Sequence, residues 1–112
     1  MKYSKRAIEK FLKGKLSSDP RWALRALVRI YERQTPDEKV KHETEESNGI
    51  GFTGFDARIL SSLAKQYMKH HILTISQIEV VRNKIPKYWR QLIDIAGGYD
   101  KFIPFMEAEN GE

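Results

Sequence analysis

The sequence predicts an all-α fold, a single compact bundle of about five helices. Apolar residues recur at the helical spacing along most of the chain, whereas the alternation typical of strands is almost absent. Capping residues separate the apolar segments from one another. The 112 residues are enough to enclose one hydrophobic core without help from metals or disulfides. We therefore expect one helical domain over residues 1–112.

The first helix is predicted to begin after Ser4, whose side chain can accept a hydrogen bond from a backbone N–H of the first turn. Its inner face carries Ile8 and Leu12, and Gly14 stands where a left-handed C-terminal cap is common. The first helix is therefore expected to end near Gly14.

A second helix is predicted from the segment SSDP, residues 17–20. Asp19 or Ser18 can supply the cap, and a proline in the first turn loses no useful N–H. The helix should run to about Gln34. The polar, aperiodic segment 36–48, with the sequence PDEKVKHETEESN, is then predicted to be a mobile acidic loop.

The stretch GIGFTGFDARIL, residues 49–60, raises the choice between a ligand loop and a helix start. A phosphate loop would need a Lys-Ser/Thr pair or a preceding strand, and the stretch has neither. Thr53 and Asp56 instead match a capping box, with the glycines allowing a sharp turn before the third helix. The residues predicted to face inward from this turn and helix are Phe52, Phe55, Ile59, Leu60, Leu63, Ala64, Tyr67 and Met68.

The remaining helices have equally local signals. Thr74 and Gln77 match a second capping box, and Pro86 is expected to end or kink the helix that follows. The next helix should stop at the glycine pair 97–98, before a short turn over residues 102–106 and an acidic tail over residues 107–112.

Charge is unevenly distributed along the chain. The net charge is +5, and residues 1–15 alone carry six Lys/Arg against one glutamate. Segment 36–48 holds five acids against two lysines, and segment 97–112 holds four acids against one lysine. A basic helical body of this kind is either an ordinary solvated surface or a surface for a polyanion, most often nucleic acid.

The second helix carries the sharpest pattern. Its arginines recur every four residues and occupy an arc of about 120°, with Trp22 inside the same arc. Arginines beside an aromatic ring can pair with phosphates while the ring stacks on a base. The alternative is a solvated face with Trp22 covered by a neighbouring segment.

A second basic and aromatic cluster lies in RNKIPKYWRQ, residues 82–91, and a third basic patch lies in the N-terminal helix. Whether the three patches form one surface is not readable from the sequence. The predicted nucleic-acid-binding residues are Arg21, Trp22, Arg25, Arg29, Arg33, Arg82, Lys84, Lys87, Tyr88 and Arg90.

Catalytic and metal-binding patterns are weak. The chain has no cysteine, its His70-His71 pair ends a predicted helix, and no serine has the context of a nucleophile elbow. We expect no enzyme, no cofactor and no metal. The N-terminus lacks the apolar region of a secretory signal and no apolar run reaches membrane-spanning length, which predicts a cytoplasmic protein without membrane contact.

Three segments together resemble a small helical module of phage and plasmid proteins. They are WALRALVRIYERQTPDE, NGIGFTGFDARILSSLAKQ and LTISQIEVVRNKIPKYWRQL, within residues 22–96. That module occurs alone or attached to helicase-like DNA-processing proteins. The resemblance implies a mobile-element accessory protein near nucleic-acid transactions, and it carries over no catalytic residue.

Two functions from different classes remain open. One is a non-catalytic accessory protein that binds nucleic acid, with DNA favoured, through its arginine and lysine patches. The other is a phage-encoded modulator or inhibitor that docks on a host nucleic-acid-processing enzyme, with HETEES and the acidic tail imitating nucleic acid. The sequence leaves the oligomeric state, and the choice of DNA, RNA or protein partner, undecided.

Overall fold

The structure is a computed structural model that describes residues 2–34 and 51–109. These residues form six α-helices and one 3-10 turn, without a strand, which confirms the predicted all-α bundle. The helices are α1 (Lys5–Ser18), α2 (Pro20–Glu32), α3 (Gly54–His70), α4 (Ile75–Lys84), α5 (Trp89–Ala96) and α6 (Tyr99–Glu109), with the 3-10 turn over Ile85–Tyr88 between α4 and α5. The predicted acidic loop 36–48 lies outside the described residues.

Helix α2 is at the centre of the bundle. It contacts α1, α3, α4, α5 and the 3-10 turn, whereas α6 packs on α1 and α5. Its buried residues Ala23, Ala26, Leu27 and Ile30 follow the helical period, so one side of α2 faces the core and the other remains available to solvent.

The boundary between α1 and α2 depends on one residue. Ser4 caps α1 as predicted, accepting a hydrogen bond from the Ala7 N–H at 3.1 Å. The prediction that Gly14 ends this helix is wrong, because α1 continues for another turn and buries Leu16 completely. Asp19 ends α1 through its backbone N–H and caps α2 by accepting a hydrogen bond from the Arg21 N–H at 2.9 Å.

The glycine-rich turn is tied to the core through its backbone. Gln91 forms two hydrogen bonds of 2.8 Å with Gly51, one to its N–H and one to its C=O. Gln34 accepts a hydrogen bond from the Phe52 N–H at 3.1 Å and donates one to Ser61 at 3.3 Å. Three backbone groups of Gly51 and Phe52 are therefore bound by buried glutamine side chains, which agrees with the structural interpretation of the stretch.

The predicted capping box at the start of α3 is wrong. Thr53 occupies the N-cap position but makes no side-chain capping hydrogen bond. Its N–H is instead bound at 3.2 Å by the hydroxyl of Tyr88, and Asp56 turns away to meet that same hydroxyl at 2.9 Å. A tertiary contact has replaced the local one.

The predicted inner face of α3 is only partly correct. Phe52, Leu60, Leu63 and Ala64 are buried as expected. Phe55, however, is 99% exposed, and Ile59 and Met68 are also exposed. The buried face of α3 also includes Asp56, Ala57 and Ser61. These residues are polar or small, so a pattern of apolar residues at helical spacing does not reveal them, and the predicted inner face is rotated from the observed one.

The C-terminal half follows its local signals more closely. Thr74 and Gln77 form the predicted capping box, with hydrogen bonds of 2.9 and 3.1 Å. Pro86 lies within the 3-10 turn, and Gly97 ends α5 with a φ of 106°. Helix α6 is longer than the expected turn because Phe102, Ile103 and Met106 bury one side of it.

Candidate nucleic-acid interface

Helix α2 presents a row of arginines, which we call the arginine ridge and define as Arg21, Arg25 and Arg29. All three are exposed and line one open groove between α2 and α3, with a volume of about 570 Å³. The ridge exists because residues four apart lie one turn above the other on a helix. The α2–α3 groove also contains Tyr67 and one acid, Glu32.

The three arginines of the ridge are not equally available to a ligand. Arg21 forms an ion pair with Asp19 at 3.2 Å, and its hydrogen bond holds the pKa of that carboxyl below the ordinary value. Within the described part of the chain, no hydrogen bond or ion pair engages the guanidinium groups of Arg25 and Arg29. Of the three arginines of the ridge, these two are therefore the ones available to an external anion.

A second groove lies on the other side of the ridge, between α1, α2, α5 and α6. We call it the aromatic groove, and its volume is about 410 Å³. Arg25 and Arg29 line this groove as well, so they stand between the two depressions. Its apolar lining includes Trp22, Leu92, Ile95, Phe102 and Phe105.

Trp22 does not project freely from the ridge. It is half-buried, and its ring centroid lies 5.9 Å from that of Phe11 and 6.2 Å from that of Phe102, both edge-on. This matches the alternative in which a neighbouring helix covers the ring. Trp22 belongs to the wall of the aromatic groove.

Arg33 is separated from the ridge. It caps the C-terminus of α2, is half-buried, and donates a hydrogen bond of 3.3 Å to the backbone C=O of Gln91. The four-arginine stripe of the sequence is therefore a three-arginine ridge followed by one arginine that joins α2 to α5.

The predicted cluster at residues 82–90 is held largely by internal contacts. Tyr88 is only 5% exposed, so the prediction that its ring is free to stack on a base is wrong. Asp56 accepts hydrogen bonds from Tyr88 and from Lys84 at 3.1 Å, and it is also paired with Lys87. Both lysines keep part of their surface in solvent, but their charge is shared with this buried carboxylate.

The electrostatics of Asp56 follow from these contacts. Burial alone would raise the pKa of its carboxyl group, but the hydrogen bonds from Lys87, Tyr88 and Lys84 bring the pKa below the ordinary value. The same contact raises the pKa of Lys87, and burial raises that of the Tyr88 hydroxyl. The cluster is an ionised internal network at neutral pH.

Arg82 and Arg90 occupy different surroundings. Arg82 lies 3.9 Å from Glu79 in the same helix, and its Nε is buried without a hydrogen-bond partner. Arg90 stacks over the Trp89 ring at 5.4 Å from the ring centroid, with Lys13 of α1 at 6.0 Å from the same centroid. Two of the three basic patches thus meet at Trp89, which was not among the predicted residues.

The acidic C-terminal segment folds back on the basic N-terminal helix. Lys2 pairs with Glu107 at 2.5 Å, and Lys15 pairs with Glu109 at 3.2 Å. The predicted tail over residues 107–112 therefore begins inside α6, and residues 110–112 lie outside the described part.

The structure adds Phe105 to the predicted site. Its ring is 52% exposed on α6 and lines the aromatic groove together with Arg25 and Arg29. No local pattern in the sequence could have joined it to α2, because the two helices are brought together only through the fold. Its position beside Pro104, in a segment predicted to be a short turn, gave no signal of a surface.

In the described residues, no three side chains among His, Asp and Glu come together as a metal site would require. None of the described helices is both long enough and apolar enough to cross a bilayer. Comparisons with protein-family models, with curated proteins and with solved structures find no match to this chain.

Proposed function

We propose that this protein is a non-catalytic accessory protein that binds nucleic acid, with the arginine ridge as its principal phosphate contact. The observation that carries the proposal is the pair Arg25 and Arg29, two exposed guanidinium groups without an internal partner in the described residues, on one face of a central helix. A guanidinium group presents donors in a planar fork that matches two phosphate oxygens.

The dimensions of the ridge support this partner. Arg21 and Arg29 are eight residues apart on α2, which corresponds to about 12 Å along the helix. Phosphates of one strand advance by about 3.4 Å along the duplex axis, so the ridge spans about three nucleotide steps. The opening on both sides of Arg25 and Arg29 leaves room for a backbone to lie along the helix.

Basic residues that are paired with acids contribute less to the proposed contact. Lys84 and Lys87 share their charge with Asp56, and Lys2 and Lys15 share theirs with acids of α6. Arg90, which stacks on Trp89, is available as a secondary phosphate contact, whereas Lys13 beside the same ring is paired with Glu9 at 2.8 Å. The attribution to a phage or other mobile element, the preference for DNA and the cytoplasmic location rest on the sequence expectations alone.

The competing function is a protein modulator that docks on a host nucleic-acid-processing enzyme. The pairing of Glu107 and Glu109 with lysines reduces the acid that this part of the chain could offer as a nucleic-acid mimic. The arginine ridge favours the first function for that reason.

The test is a double substitution, Arg25→Ala with Arg29→Ala, assayed by fluorescence anisotropy with a labelled oligonucleotide over a range of salt concentrations. Removing two phosphate contacts should weaken binding and flatten the slope of log K against log salt by about 1.5 to 2 units. The fold should survive, since both side chains are exposed and alanine is the best helix former.

The matched control is Arg58→Ala with Lys69→Ala on α3, which removes the same charge from exposed positions outside both grooves. It should leave the salt slope within about half a unit of the wild type, because only direct contacts release counterions. If the two double variants weaken binding equally, the binding depends on the net charge of the protein and not on the arginine ridge. Absence of binding by the wild-type protein would favour the protein modulator.

A further inference from the structure

We infer that the aromatic groove is a stacking site for unpaired bases, so that the ligand of the ridge is single-stranded nucleic acid. This inference rests on the proposed function and adds the class of ligand. Its starting point is that Arg25 and Arg29 line the aromatic groove as well as the α2–α3 groove. A strand whose phosphates lie on these arginines therefore has its bases beside an apolar depression.

The floor of the groove is a connected set of rings. Trp22 lies edge-on to Phe102, and Phe102 lies 6.1 Å from Phe105 at an interplanar angle of 33°. Phe102 is buried, whereas Phe105 is 52% exposed and ends the series at the surface. A ring held from one side by other rings keeps its orientation and offers its outer surface to a ligand.

The rest of the lining suits a flat apolar ligand. Ile95 is 37% exposed beside Leu92 and Ala96, and all three come from α5. Apolar surface of this kind, beside two unpaired cations, favours a ligand that is an anion and a flat ring at once. Nucleotides of a single strand have both properties, since every base has a π-face that can stack on an aromatic side chain.

The charge around the groove is consistent with this ligand. The one acid in its lining is Glu109, whose carboxylate is paired with Lys15 at 3.2 Å. The positive charges of Arg25 and Arg29 therefore dominate the electrostatic potential that an anionic ligand meets at the groove. A paired duplex keeps its bases stacked inside and can use only the arginines, so it should bind more weakly than a single strand.

The test compares a single-stranded oligonucleotide with a duplex of the same number of phosphates by fluorescence anisotropy. The wild-type protein should prefer the single strand. Phe105→Ala should weaken single-strand binding about fivefold or more, since one stacked base contributes about that much, and should leave duplex binding unchanged. The emission of a fluorescent adenine analogue in the single strand should change on binding to the wild type and change less on binding to the variant, because the analogue loses its contact with the Phe105 ring.

Two further variants keep the result interpretable. Phe55→Ala removes a phenylalanine that is 99% exposed and outside the groove, and it should change neither affinity. Phe105→Leu retains an apolar side chain on α6 should the alanine variant fold poorly, and loss of the ring should still weaken the single strand.

The outcomes separate the inference from the proposed function. If Phe105→Ala and Phe105→Leu leave single-strand binding unchanged while Arg25→Ala with Arg29→Ala weakens it, the stacking site is wrong and the ridge stands. Equal weakening of single strand and duplex by Phe105→Ala also overturns the stacking site. Failure of the wild type to bind either oligonucleotide overturns both.

Discussion

Gly51 shows how one residue determines the shape of the glycine-rich turn. Its φ of 81° lies in the left-handed region, and a Cβ at this position would overlap the Cγ of Gln34. That same glutamine holds the Phe52 N–H, so it cannot move aside without loss of a buried hydrogen bond. The glycine is required by the close approach of Gln34 and by its own backbone angle.

We therefore predict that Gly51→Ala lowers the free energy of unfolding by about 1–3 kcal/mol, the range for a strained left-handed residue. Gly14→Ala is the matched substitution within α1, where nothing lies within 4 Å of the added Cβ. It should raise the free energy of unfolding by about 0.5–1 kcal/mol, since glycine disfavours a helix interior by that amount. Urea denaturation of both variants measures the difference, and equal effects would contradict it.

The contribution of Asp56 to the free energy of unfolding should depend on pH. Its pKa in the folded protein lies below the ordinary value of 3.8, so its contribution to stability is complete above that value and is lost as the pH falls towards the folded pKa. Asp56→Asn should lower the free energy of unfolding by about 2 kcal/mol at neutral pH, the magnitude for hydrogen bonds to a charged group.

The difference between wild type and Asp56→Asn should become smaller in acid, because protonated Asp56 has lost its attraction to Lys84 and Lys87 as well. Asp94→Asn is the control, since Asp94 is exposed and lies outside the network. Urea titrations at neutral pH and below the ordinary aspartate pKa make the comparison. A difference that is constant with pH would mean that the carboxylate charge is irrelevant.

At the scale of elements, two threonines with the same sequence motif have different roles. Thr74 accepts a hydrogen bond from the Gln77 N–H at 3.1 Å, whereas Thr53 makes no side-chain capping bond. Thr74→Ala should therefore lower the free energy of unfolding by about 1 kcal/mol, the usual contribution of a cap, and Thr53→Ala by less than half of that. The Thr53 hydroxyl makes only a 3.5 Å contact with the Tyr88 hydroxyl. Thermal denaturation of the two variants tests the order, and a larger effect at Thr53 than at Thr74 would contradict it.

The contrast explains how far the elements could be predicted. The caps Ser4 and Thr74 are predicted correctly, and Asp19 is one of the two residues predicted to cap α2, because the partners of all three lie within three residues in the chain. Asp56 was misread because Tyr88, which lies 32 residues away, competes for its carboxylate. Local rules give the helices and most of their ends, and they fail where a distant side chain offers a stronger partner.

The same limit applies to the candidate site. The spacing of arginines on α2 was sufficient to predict that Arg21, Arg25 and Arg29 share one exposed face. It could not reveal that Tyr88 is buried or that Phe105 stands beside the ridge, because both depend on how α3 and α6 pack. Periodicity assigns a face to one helix, and only the packing of helices assembles a surface.

At the scale of the whole molecule, the charges segregated along the sequence come together in space. The basic segment 1–15 and the acids of α6 form ion pairs, so the N-terminal helix is less cationic than its composition indicates. Three acids of the described residues lie near the arginine ridge: Asp19, which pairs with Arg21, Glu32, which lines the α2–α3 groove, and Glu109, which lines the aromatic groove and pairs with Lys15. The fold thereby places Arg25 and Arg29, which have no ion pair in the described residues, at the junction of the two grooves.

Glu109 is the acid that lines the aromatic groove together with Arg25 and Arg29, and its carboxylate pairs with Lys15. Glu109→Gln removes its negative charge from the groove and frees the Lys15 ammonium. We therefore predict tighter nucleic-acid binding, by up to about fivefold, the equivalent of one partly exposed charge interaction. The gain should decrease with added salt, since such charges are screened over about 10 Å at moderate ionic strength.

Glu79→Gln provides the control, because it makes the same change of net charge on α4, away from both grooves. Anisotropy titrations of the two variants should separate them at low salt and bring them together at high salt. Equal gains from Glu79→Gln and Glu109→Gln would place the effect in net charge and remove the aromatic groove from the path of the ligand.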